Sequence, residues 1–186
     1  MPENNILIVD DEPNVLSALQ RIFMDEQCNI YTAQSGAEGM NVLKSNPIKL
    51  VISDEMMPGM SGSEFLSLVK EHFPDVIRIM LTGQASIDAA MRAINKGEIY
   101  RFFTKPWDDV EIRLAVRAAV EKYDLEEENR RLIETVRNQA INLKLIERQF
   151  PGITELQRDD GGRIVLSDIA EDELARIIAQ CESEIS

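Results

Sequence analysis

Hydrophobic positions along the chain fall into two alternating patterns, short apolar runs and longer stretches with helical spacing. Ile6 to Val9, Leu50 to Ile52 and Val76 to Leu81 run with little alternation, as strands covered on both faces of a parallel sheet do. Asn29 to Ala33 and Ile99 to Thr104 complete five expected strands. Between them, Val15, Leu16, Leu19, Ile22 and Phe23 form a first helical stripe, and Phe65, Leu66, Leu68 and Val69 line a third helix. Pro13 suits a first helical turn, where its missing N–H would be unpaired anyway, and the acids around it suit the helix dipole. Ser35 with Glu38 and Ser61 with Glu64 have capping-box spacing, the former starting a second helix expected to run to about Ser45. Ile87, Met91 and Ile94 mark a fourth helix, and Gly97 is placed to stop it.

Five strands regularly alternating with helices predict an α/β fold, a doubly wound parallel sheet with right-handed crossovers. Five is the strand count of the flavodoxin-like order 2-1-3-4-5, in which strands one and three flank the switch point. Four polar groups stand at the carboxyl ends of these strands. Asp10-Asp11 follows strand one, Asp54 strand three, Thr82 strand four and Lys105 strand five. In that order one crevice holds them all.

Composition bounds the picture. A chain of 186 residues is long for one domain and short for two, so one full domain plus an appendage is expected, and 44% hydrophobic content supports a core. The net charge of −13 divides into −7 over residues 1–121 and −6 over residues 122–186. Neither part suits direct nucleic-acid binding, because neutralising phosphates takes a basic surface. Cys28 and Cys181 are too few and too far apart for a disulfide framework or a zinc site. With no leader pattern and no apolar run of spanning length, a soluble cytoplasmic protein without a membrane partner is expected.

Three carboxylates at adjacent strand ends repel one another unless a cation joins them, and hard oxygen ligands suit Mg²⁺. A lysine opposite the metal could hold a transferred phosphoryl group, and a threonine hydroxyl could donate to one of its oxygens. Phosphoryl transfer needs mainly positioning and charge neutralisation, with Asp54 as the nucleophile. Taken singly these residues are ordinary: Asp-Asp before a helix reads as an N-cap and a strand-terminal threonine as a turn residue. Four matches at the ends of the right strands set the conjunction apart.

The segments Ile8-Val9-Asp10-Asp11-Glu12-Pro13, Ser53-Asp54-Glu55-Met56-Met57-Pro58-Gly59, Met80-Leu81-Thr82-Gly83 and Thr104-Lys105-Pro106 resemble the receiver domain of two-component response regulators, over roughly residues 4–121. The resemblance implies that Asp54 accepts a phosphoryl group from a sensor histidine kinase. It implies further that Asp10, Asp11, Asp54 and the Met56 carbonyl bind Mg²⁺, that Lys105 pairs with the phosphoryl group, and that Thr82 is the switch hydroxyl. The usual aromatic partner of the switch falls on Phe102, which lacks a tyrosine hydroxyl, so switching would rest on ring packing alone. Family members tend to have a cis bond where Lys105-Pro106 stands here. More narrowly, Gly97 to Trp107 resembles receivers attached to phosphodiesterases of the HD-GYP type and to some transcriptional regulators. That likeness stops at the receiver, since HD-type hydrolysis needs several metal-binding histidines and the chain has only His72.

Asp108 and Glu111 have capping-box spacing at the start of a fifth helix, and no helix breaker follows until Pro151. A helix over about 109–149 would be roughly 60 Å long at about 1.5 Å per residue and is expected to project beyond the receiver. Leu125, Asn129, Leu132, Val136, Gln139, Leu143, Ile146 and Phe150 keep a 4-3 spacing, a coiled-coil seam that predicts a parallel homodimer. Residues 151–186, with Asp159-Asp160-Gly161-Gly162 between two short runs and an apolar helical pattern after Asp168, read as a small β-hairpin and helix module of no recognised family. The expected organisation is a receiver over 1–121, a coil over 122–150 and a module over 151–186. The expected function is a phosphorylation-controlled switch, not an enzyme, acting through a downstream protein target. Two alternatives are a transcriptional regulator and an aspartate-nucleophile phosphatase. Phosphatases of that kind typically carry Asp-x-Asp after the first strand, which is not the pattern here.

Overall fold

Side chains at successive positions of a strand point to opposite faces, so unbroken apolar runs require a sheet with both faces covered. The computed structural model, which describes residues 4–83, 86–95 and 98–149, has that arrangement. Strands β1 (Asn5–Val9), β2 (Asn29–Ala33), β3 (Leu50–Asp54), β4 (Ile77–Thr82) and β5 (Arg101–Thr104) alternate with helices α1 (Pro13–Ile22), α2 (Gly36–Ser45), α3 (Gly62–His72), α4 (Ile87–Asn95) and α5 (Asp109–Gln149). All strand pairs are parallel and the order is β2-β1-β3-β4-β5, as the sequence predicts. The fold is a flavodoxin-like α/β sheet with a long carboxyl-terminal helix.

Ile6, Ile8, Leu50, Ile52, Ile79 and Leu81 join the core under α1 and α5, whereas Leu7, Val9, Val51 and Met80 join the core on the opposite face with Phe65, Leu66 and Val69 of α3. Each such fully buried aliphatic side chain contributes about 1.5–3 kcal/mol. On α5 the buried residues Ile112, Ala115, Val116, Ala119 and Val120 have the i, i+3, i+4, i+7, i+8 spacing of one helical face.

The helix starts follow the sequence reading in part. Ser61 and Glu64 form the full reciprocal box on α3. Ser35 caps the Glu38 N–H of α2, but the Glu38 carboxylate accepts from the Gln34 N–H, one residue too early for the box. At α5, Asp108 accepts from the N–H groups of Val110 and Glu111, while the Glu111 carboxylate pairs with Arg101 on β5. Ile87, Met91 and Ile94 do lie on a helix, α4, but the latter two face away from the core. Met91 is 52% exposed and Ile94 lies at the exposed margin, while Ala90 is fully buried, its short side chain allowing close approach to the sheet. Gly97 lies outside the described residues.

The chain divides into two compact units, Met1–Arg130 and Arg131–Ser186. In the first, Leu125 and Asn129 of the expected seam are exposed. In the second, the described residues 131–149 are helical, and Leu132, Val136, Gln139, Leu143 and Ile146 are exposed. Ile133, Ile141 and Leu145, off the seam, are exposed as well. Phe150 and the module expected over 151–186 lie outside the described residues. Among the described residues no helix is long and apolar enough to cross a membrane.

Candidate functional site

β1, β3, β4 and β5 end at one edge of the sheet, and each delivers a polar residue there. Asp10 follows β1 and is 1% exposed, and Asp54, the last residue of β3, is 4% exposed. Burying two carboxylates at neighbouring strand ends demands a cation. Lys105, after β5, supplies it: its Nζ lies 2.8 Å from Asp10 Oδ2 and 2.5 Å from Asp54 Oδ1. The Lys105-Pro106 bond that follows is cis, as the resemblance implies. Lys105 N–H donates to the Thr82 carbonyl at 2.8 Å, tying the lysine to β4.

Burial pushes the Asp10 carboxyl above its ordinary range, against the opposing pull of the Lys105 ammonium and the Glu12 N–H. For Lys105, burial by itself favours the neutral amine, but the hydrogen bonds and charges of Asp10 and Asp54 together outweigh it and hold the ammonium above its usual range. One cation thus stands between two buried acids and keeps its proton.

The loop after β3 is shaped around Asp54. Met56 N–H donates to Asp54 Oδ2 at 2.7 Å. Gly59 has φ of 81°, a conformation that side chains disfavour. A Cβ at Gly62 would lie 2.1 Å from the Asp54 carbonyl oxygen, so only glycine lets α3 start this close to β3.

Of the residues singled out from the sequence, Asp10, Asp54, Lys105 and the Met56 peptide are brought together. Others stand back. Asp11 is partly exposed, and among the described residues no three acidic, histidine or cysteine side chains form a group that could hold a metal ion as they lie. As they lie, Asp10 and Asp54 are bridged by the Lys105 ammonium. The Thr82 hydroxyl, fully buried, donates to the Gly83 carbonyl at 3.1 Å. Phe102, half-buried, packs against the α3 side of the core. His72 is exposed at the end of α3. The donor chemistry still fits a hard divalent cation, because two buried carboxylates, both hard oxygen donors, face a single ammonium.

The sequence reading missed Glu55. Its side chain is buried beside Asp54 and bonded to Ser63, eight residues on, a spacing that matches no local motif.

Comparisons with known proteins meet at this edge of the sheet. Over 127 residues the chain is 34% identical to the hydrogenase transcriptional regulatory protein HoxA of Cupriavidus necator, covering 68% of this chain and 26% of the relative. It is 33% identical to the transcriptional regulatory protein GlrR of Escherichia coli, covering 77% of this chain and 32% of the relative. The chain thus spans a third or less of the length of these curated relatives. Among solved structures, the signal receiver domain of an HD domain-containing protein from Pseudomonas fluorescens superposes with a TM-score of 0.65 at 35% identity, covering 69% of this chain and 94% of that one. The model of the response regulator receiver domain matches residues 6–117, which take in all five strands except Asn5 at the start of β1, and every residue of the acid–lysine edge. With that fold, that strand order and that cluster already in hand, the match is decisive: this chain belongs to the response regulator receiver domain family.

Proposed function

We propose that the chain is a phosphorylation switch in which Asp54 accepts a phosphoryl group from a phosphohistidine of a sensor histidine kinase. The observation that carries this reading is the Lys105 ammonium shared by Asp54 and Asp10 at the carboxyl edge of the sheet. In the transfer, an Asp54 carboxylate oxygen attacks phosphorus, the P–N bond to the donor imidazole breaks, and an acyl phosphate forms. Lys105 then exchanges the Asp54 carboxylate for the new phosphoryl oxygens, and Asp10, fixed by the Glu12 N–H at 2.9 Å, keeps the lysine in place. Asp10, Asp11, Asp54 and the Met56 carbonyl would hold Mg²⁺, which supplies charge neutralisation during transfer. The Thr82 hydroxyl would leave the Gly83 carbonyl for a phosphoryl oxygen, and the Phe102 ring would follow by packing alone. No external phosphoester is turned over in this reading.

The output proposed is association of two copies along Leu125, Asn129, Leu132, Val136, Gln139, Leu143, Ile146 and Phe150, presenting residues 151–186 to a protein target. The exposure of the described seam positions supports it, since a lone helix gains little from leaving leucines in water. A second reading, a transcriptional regulator, is favoured by the relatives HoxA and GlrR. Against direct DNA contact by this chain stands its net charge of −13.

Incubation with acetyl phosphate and Mg²⁺, followed by intact mass, tests the switch. One phosphoryl adduct is expected, absent in Asp54→Asn and in EDTA; equal labelling of Asp54→Asn contradicts the reading. Light scattering on Leu132→Asp/Leu143→Asp tests the coil, monomers being expected.

A further inference from the structure

The loop between β3 and α3 carries the Met56 peptide, whose N–H sits on Asp54 Oδ2. The Met56 side chain is 70% exposed and gives that peptide little anchorage. What fixes the loop is the residue between. Glu55 is 7% exposed although it is acidic and stands next to another buried acid. Its N–H donates to the Leu81 carbonyl on β4 at 2.8 Å, and its carbonyl accepts from the Gly62 N–H at 3.0 Å. Its carboxylate accepts from the Ser63 N–H at 2.8 Å and from the Ser63 hydroxyl at 2.8 Å.

A helix begins with N–H groups that have no partner in the helix. On α3, Glu55 satisfies two of them, Gly62 by its backbone and Ser63 by its side chain, and Ser61 satisfies the next, Glu64, at 3.2 Å. The partial positive charge of the helix start offsets the buried carboxylate. Glu55 therefore pins the first turn of α3 to the end of β3 from inside the loop, where a surface cap such as Ser61 cannot reach. An apolar residue would fill the same space but would leave the Ser63 N–H and hydroxyl without this partner.

We propose that Glu55 is a positioning residue for phosphoryl transfer: through Ser63 it holds the Met56 peptide against Asp54, setting the orientation of the Asp54 carboxylate and of the Met56 carbonyl. The proposal rests on Asp54 being the phosphoacceptor. Ser63 is the second member of the device. Neither residue touches the reacting atoms.

The test uses the full chain, with Glu55→Ala, Glu55→Gln and Ser63→Ala. Amide hydrogen exchange, read without Mg²⁺, is expected to accelerate several-fold or more at Met56 in Glu55→Ala and less in Glu55→Gln, which keeps an acceptor, while Ile52 in β3 stays protected. In acetyl phosphate labelling, the Mg²⁺ concentration giving half the maximal rate should rise about tenfold in Glu55→Ala, with the rate at saturating Mg²⁺ nearly kept, as for loss of a group that orients a metal ligand. If Glu55→Ala loses protection at Ile52, Glu55→Gln and Ser63→Ala decide the same comparison. Wild-type exchange at Met56 in folded variants, or an unchanged half-saturation, overturns the proposal. Absence of labelling in the wild type would instead overturn the role of Asp54, and the exchange result would still decide whether Glu55 holds the loop.

Discussion

Each end of the sheet sets a lysine against carboxylates, Lys49 buried and Lys105 partly exposed, and the two do different things. At the amino end, Lys49 is 5% exposed; its Nζ lies 2.9 Å from Asn4 Oδ1 and 2.6 Å from Asp124 Oδ1, and 5.8 Å from the centre of the Tyr123 ring. One cation meets one carboxylate, and the other partners are a neutral amide and a ring. At the carboxyl end, Lys105 meets two carboxylates, both almost fully buried. Charge balance separates the two. A balanced pair is finished and serves as a tether, here between the start of β3 and α5. An unbalanced one remains attractive to further positive charge, the charge that a phosphoryl group in transfer needs for its own neutralisation.

Removing each lysine sharpens the contrast. Lys105→Met leaves two buried acids without their shared cation, and a loss of about 3 kcal/mol is expected, at the lower end for a broken buried pair because the lysine is partly exposed. Mg²⁺ should raise the melting temperature of this variant more than that of the wild type, since the metal restores the missing charge. Equal shifts in both proteins would break the comparison. Lys49→Met should cost less, about 1–2 kcal/mol, because Asp124 is 42% exposed and water can solvate it. Its response to Mg²⁺ should match the wild type, while amide protection on α5 near Asp124 should fall. The smallest effect concerns pH. The folded-state pKa of Lys105 lies above its ordinary value of 10.5, so its contribution to stability is complete below about that pH and is lost as pH rises through the folded value. Alkaline denaturation curves of wild type and Lys105→Met should therefore converge at high pH.

The strands and the carboxyl-edge residues are legible in the sequence because they rest on local signals: apolar runs, turn residues and the position of a charge just after a run. The strand order is not local and follows from the resemblance to receiver domains. What was not legible depends on partners distant in the chain. Lys49 stands at the start of a strand, where nothing announces that Asp124, 75 residues on, will bury it. Glu111 has the spacing of a cap but finds Arg101 instead. Met91 and Ile94 have helical spacing, yet α4 turns the small Ala90 to the sheet. The site divides in the same way. Asp10, Asp54 and Lys105 were readable from strand ends, whereas the direction of the Thr82 hydroxyl and the staple between Glu55 and Ser63 depend on loop geometry that spacing does not encode.

The most direct test of the unbalanced edge is the location of the phosphoryl group. After brief treatment of the wild-type protein with acetyl phosphate and Mg²⁺, reduction with borohydride and peptide sequencing by mass spectrometry should find the modified carboxyl at Asp54 alone, in Lys49→Met as in wild type. Modification at Asp10, Asp11 or Glu55 in place of Asp54, or none in a folded protein with Mg²⁺ present, would contradict the account.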